Sequence, residues 1–221
     1  MKSQRVLKPT LFLACLIPFG QLAYAAYTEN LGANPIEYIT HFTGDWSLIF
    51  LLASLGVTPL RKISGWNGLI KYRRMLGLFA FFYAVLHFAT YMVLDHFFDF
   101  DAIVKDVIKR PYVTAGFTAF VLMIPLAITS TAGMIRKLGK RWQKLHRLVY
   151  LIAVAGVLHF YWLVKADTRR PLQYGAVLVL LLGYRLAIKW LPTSSDRAAR
   201  SPSSGRPQSA QRSRPAHNCA P

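Results

Sequence analysis

The stretch RMLGLFAFFYAVLHFATYMVL, residues 74–94, decides the fold. Its charged residue is Arg74 at the start, and a single histidine, His87, interrupts the apolar run. A helix rises about 1.5 Å per residue, so a run of this length crosses the roughly 30 Å hydrocarbon core of a bilayer. Working outward, comparable runs lie near 9–28, 46–60, 111–130, 146–165 and 171–190. The run at 46–60 is the shortest and can begin earlier, within 35–45, a segment read as interfacial. Pro18 and Pro125 fall inside spans, where membrane helices tolerate proline. The expected fold is all-α: an integral membrane bundle of about six transmembrane helices. Residues 1–8 form a short N-terminus, 9–190 the transmembrane domain and 191–221 a tail.

Composition agrees. Hydrophobic side chains make up 54% of the 221 residues and charged ones 16%, against about 25% charged in a soluble domain. The net charge of +18 invites a nucleic-acid partner, but the bases lie in short loops between apolar runs, so that class is excluded. Lys2, Arg5 and Lys8, then Arg61 to Arg74, then Arg136 to Arg147 alternate with segments holding Glu29, Glu37, Asp45, Asp95, Asp99, Asp101, Asp106 and Asp167. Both termini and the basic loops are therefore expected in the cytoplasm. Tyr24, Tyr27, Tyr161 and Trp162 suit the outer interface, and Trp46, Trp66 and Trp142 read as interfacial anchors. A competing reading of the N-terminus is a signal peptide cleaved near Ala23-Tyr24-Ala25. The tail, rich in Ser, Pro, Arg, Ala and Gln, is expected to be disordered and basic, held near anionic lipid heads; His217 within it is given no role. Cys15 and Cys219 form no thiol metal motif. No internal repeat is visible.

Ionisable side chains within a span are costly and mark function. Two qualify clearly: His87, and His159 in VAGVLHF (154–160). His87 lies 13 residues beyond Arg74, and His159 lies 13 beyond His146, on spans that run the same way. Both then sit roughly 20 Å from the inner face. Imidazoles at equal depth suit the axial positions of one haem iron, with apolar helices around the macrocycle. Gly77, Gly116 and Gly156 offer places for a ring to approach backbone. The bland reading is polar glue between helices.

His146, at the inner interface, is either simply wet or a contact for a second haem, a flavin or a quinone. Arg74 stands where a partner ligand would be, and on one ideal helix His146 and His159 would face different ways. His41 and His96 read as solvated loop residues. No phosphate loop, nucleophile elbow or intramembrane carboxylate pair is present, and nothing provides a nicotinamide-binding domain.

Thr58-Pro59-Leu60-Arg61, Arg73-Arg74-Met75-Leu76-Gly77-Leu78 leading to Tyr83 and His87, Thr129-Ser130, Leu138-Gly139, Trp142, and Leu145-His146-Arg147-Leu148-Val149-Tyr150 leading to His159 together resemble the MsrQ family, formerly YedZ. That family belongs to the ferric-reductase-like transmembrane group, and the resemblance covers residues 5–190. It implies a haem-binding domain over 9–190, with His87, His146 and His159 as the family's histidines. It further implies haem b and FMN as cofactors, quinol as electron donor, and MsrP, a periplasmic molybdopterin enzyme that repairs oxidised methionine, as partner. The chain would be an electron-transfer subunit with no self-contained substrate-reducing site. The resemblance implies the inner membrane of a bacterium, with the acidic segments 29–45 and 95–106 as the docking surface. The alternatives are a ferric-reductase-type cytochrome b and a non-redox transporter or scaffold.

Overall fold

The computed structural model describes residues 2–164 and 167–190. The tail 191–221, with Cys219 and His217, lies outside them. Every regular element among the described residues is helical. α1 (Lys2–Tyr27) and α2 (Pro35–Ser64) are followed by a short 3-10 turn and α3 (Ile70–Thr90), which runs on into a π-helical turn, Tyr91–Asp95. α4 (Phe100–Lys109) leads through Arg110 into α5 (Pro111–Ile128). Two short helices, α6 (Ala132–Leu138) and α7 (Lys140–Leu145), precede α8 (Leu148–Leu163) and α9 (Arg169–Trp190). Six helical segments are long and apolar enough to cross a membrane, so this is a multi-pass membrane protein.

The six spans fall where hydropathy placed them, with two changes. The second is a continuous 30-residue helix from Pro35, so 35–45 belongs to the helix and is not a separate interfacial segment. The cause is a local cap: the Asn34 side chain accepts from the backbone N–H of Glu37 and donates to its carboxylate, with Pro35 at the first helical position. The fifth span is broken. α7 ends at His146, which caps it, and α8 begins at Leu148. His146 and His159 therefore do not share one straight helix.

The chain falls into two units, Met1–Arg185 and Leu186–Pro221. Of the second only the end of α9 is described, where Leu186 and Trp190 are exposed. In the first, α2 packs along α3 and α5 along α8, the two most extensive helix interfaces. Leu55, Ala80, Tyr83, Ile152 and Ala153 are at most 1% exposed at their centre, while the outward faces carry Leu13, Ile17, Val121, Leu151 and Val179 for lipid to cover.

Two prolines in spans are answered by side chains from other helices. Pro59 has no N–H, which leaves the Leu55 carbonyl of α2 without its helical donor. Arg185 of α9 supplies one at 2.6 Å and also donates to the Tyr150 hydroxyl. Beside Pro18, the α3 residue Tyr83 is inserted into the ladder of α1. Its hydroxyl donates to the Cys15 carbonyl at 2.9 Å and accepts from the Phe19 N–H at 3.0 Å. Edge contacts of Phe12 on Phe79 and Phe19 on Phe82 complete this seam.

Candidate functional site

His87 on α3 and His159 on α8 come together, with ring centroids 6.0 Å apart. Each ring is fixed by a backbone carbonyl on the neighbouring helix. His87 Nδ1 is 2.9 Å from the Thr40 carbonyl of α2, and His159 Nδ1 is 2.7 Å from the Tyr112 carbonyl of α5. A carbonyl only accepts, so Nδ1 carries the proton in both rings and Nε2 is left with a lone pair for a metal. Each ring also lies against a glycine. A Cβ at Gly44 would come within 3.1 Å of His87, and one at Gly116 within 2.7 Å of His159.

The two arrangements are one arrangement repeated. Tyr112, Gly116 and His159 lie 72 positions after Thr40, Gly44 and His87. The expectation of no internal repeat is thus corrected: α2–α3 and α5–α8 are equivalent halves, and their match is in backbone geometry and two residue types. Of the three glycines singled out from sequence, Gly116 holds a ring. Gly156 lines the same cavity, and Gly77 lines a second cavity, with open space where its Cβ would be. Gly44 was missed because it lay in the segment read as interfacial.

The paired histidines line a cavity of about 300 Å³, which Asp45, Asp95 and Asp106 also line. A second cavity, of about 380 Å³, is lined by Arg73, Arg74, Arg147, Trp142 and His146. The two share a wall of Leu51, Met123 and Ile152. His146 stays away from the histidine pair. Its Nδ1 donates to the Trp142 carbonyl at 3.1 Å, again leaving Nε2 with the lone pair, and its ring stacks on Trp142 at 3.9 Å. Arg74, 72 positions before it, lines the same cavity.

Other expected roles change. Trp142 packs on His146, donates to the Thr129 carbonyl and lines the second cavity. Trp46 packs between Phe42 and Phe50 within α2; Trp66 remains exposed. His41 is exposed but helical, 3.8 Å from Glu37. His96 is not a solvated loop residue: its side chain is 16% exposed, between Asp106 at 3.5 Å and Asp95 at 3.8 Å, against the ring of Tyr91. The turn that folds it inward has no sequence signature.

Among the described residues no group of three or more His, Cys, Asp or Glu is placed to hold a bare metal ion. Two imidazoles alone suit a metal whose remaining positions are filled by something else. A metal about 2 Å from each of two opposed imidazole nitrogens puts the ring centres about 6 Å apart once the ring radii are added, which matches the observed spacing.

Six spans and one pair of histidines set between two helical halves define a polytopic membrane protein with a paired-imidazole site. The family model for the ferric reductase like transmembrane component matches residues 43–157. Relatives named protein-methionine-sulfoxide reductase heme-binding subunit MsrQ are 56% identical in Herminiimonas arsenicoxydans (87% of this chain, 90% of the relative), 52% in Azospira oryzae (81% and 78%) and 53% in Rhodospirillum rubrum (79% and 85%). No solved structure matches the chain. The chain belongs to the ferric reductase-like transmembrane family and, within it, to the MsrQ family.

Proposed function

We propose that the chain is the haem b-binding electron-transfer subunit of a methionine sulfoxide reductase system, in which His87 and His159 would hold the haem iron. The supporting observation is the histidine pair itself: rings 6.0 Å apart, Nδ1 of each tied to a carbonyl, and a glycine behind each ring. Bound there, the porphyrin iron supplies a one-electron carrier whose potential follows from ligation and burial. The carbonyls of Thr40 and Tyr112 orient the rings and raise their basicity. Leu48, Ala119, Met123 and Phe120 keep the cavity apolar.

The two cavities suggest a direction. We place the basic end in the cytoplasm, with both termini, by the bias of charged loops, and the acidic end at the periplasmic face of a bacterial inner membrane. Electrons from quinol would enter the bundle and leave beside His87 and His159 toward a periplasmic MsrP-type molybdopterin subunit that repairs oxidised proteins. His146 would contact a second cofactor. Arg73, Arg74 and Arg147 offer cations for an anionic one, and FMN is the one implied by family resemblance.

Haem content and visible spectra of the purified protein test this reading. Wild type is expected to show a Soret band that shifts on reduction. His87→Ala and His159→Ala should each lose most of the bound haem, and His146→Ala should lose less. A colourless, folded wild type, or full haem retention in both of the first two variants, would overturn it and favour a scaffold.

A further inference from the structure

The segment between the third and fourth spans is unusual in its construction. Phe97 and Phe98 both adopt left-handed backbone, φ 47° and 63°, a region bulky residues rarely enter. Their rings are 78% and 51% exposed. α4 then presents Phe100, Val104 and Ile108 at a spacing of four, 65%, 56% and 77% exposed. At about 100° per residue these three form one stripe. Asp101, Lys105 and Lys109 form the next face round, also exposed.

The third face is turned inward. Ile103 is buried, and Asp106 and Val107 line the cavity of the histidine pair. It is fastened there. Asp106 is 3.3 Å from Arg110 and 3.5 Å from His96, the Thr114 hydroxyl donates to the Val107 carbonyl, and Asp99 caps the helix at the Ala102 N–H.

We propose that α4 is an interfacial helix seated in the membrane, its apolar stripe in the headgroup–acyl boundary and its inner face covering the mouth of the histidine cavity. Connectivity selects lipid as the occupant. α4 follows closely on the end of one span, and Arg110 alone separates it from Pro111, where the next begins. A helix so tethered stays at the level where spans end. Val93 and Leu94, at the close of the third span, are likewise exposed apolar residues. Lys105 and Lys109 on the flank of the stripe can reach lipid phosphates while their stems lie on apolar surface.

The test uses the full chain with Cys15→Ser and Cys219→Ser in phosphatidylcholine vesicles. A nitrobenzoxadiazole label is placed at Val104→Cys in one sample and at Lys105→Cys in another. The expected result is emission shifted to the blue at position 104. Quenching there by shallow doxyl lipid should be at least fivefold stronger than at 105, with iodide quenching in the reverse order. Equal iodide quenching at both positions with no lipid quenching overturns the proposal. So does shielding of position 104 that appears only when a partner protein is added, which would make the stripe a protein-docking face. As a second measurement, the triple change Phe100→Ser, Val104→Ser, Ile108→Ser should speed amide exchange over residues 100–110 at least tenfold in vesicles, with the six spans unchanged. Wild-type protection in that variant would equally overturn the proposal.

Discussion

Gly44 and Gly116 occupy equivalent places but leave different room. A Cβ at Gly116 would meet His159 Nδ1 at 2.7 Å, which no side chain tolerates without movement, whereas at Gly44 the nearest ring atoms are at 3.1 Å. Gly116→Ala must push the imidazole off the Tyr112 carbonyl or part the helices, so it should cut the haem-to-protein ratio severalfold. Gly44→Ala should cost less, and equal losses in the two would mean the rings do not rest on these glycines. His87 and His159 were legible in the sequence because an imidazole inside an apolar run has few reasons to be there, and their equal depth was a matter of counting. Their carbonyl partners were not legible, since every residue has a carbonyl and only packing selects Thr40 and Tyr112. Gly44 was equally hidden, because hydropathy started the second span too late.

At the scale of an element, α1 is joined to the bundle through the Tyr83 hydroxyl. Tyr83→Phe keeps the ring and its contacts with Phe50 and Phe82 but leaves the Cys15 carbonyl and Phe19 N–H apart. We expect a loss of roughly 1–3 kcal/mol, the usual cost of an unmet buried polar group. It should be read as a lowered unfolding temperature in detergent with the haem spectrum preserved. Arg185→Met should act in the same way on α2, by stranding the Leu55 carbonyl above Pro59. The spans themselves could be read from sequence as length and apolarity. The break between α7 and α8 could not, because helix-forming residues continue through it and only tertiary packing distinguishes a bend from a straight run. The seam of Tyr83, Phe12 and Phe19 also bears on the signal-peptide reading of residues 1–25. Losing them would uncover Tyr83, which is fully buried, so mass spectrometry of the membrane-inserted protein should find residues 12–19.

At the scale of the whole molecule, the acids at one end are not equivalent. Asp45 is paired with Arg170, Asp106 with Arg110 and His96, and Glu37 and Asp99 act in helix caps. Glu29 and Asp101 enter no ion pair among the described residues and are exposed. If a periplasmic partner docks on this end, Glu29→Gln with Asp101→Asn should weaken the complex about tenfold at low salt, and the difference should vanish as ionic strength screens the charges. Neutralising Asp106 instead should disturb the protein's own loop. An unchanged affinity in the Glu29 and Asp101 double variant would place docking elsewhere.

The chain writes one histidine rest twice, 72 positions apart, so on the proposed reading each half would supply one of the two ligands to the iron between them. A haem held there would double as a rivet between the halves. A preparation stripped of it should stay inserted and helical, yet α3 and α8 should separate and breathe along their facing sides, and resupply of haem should draw them shut again.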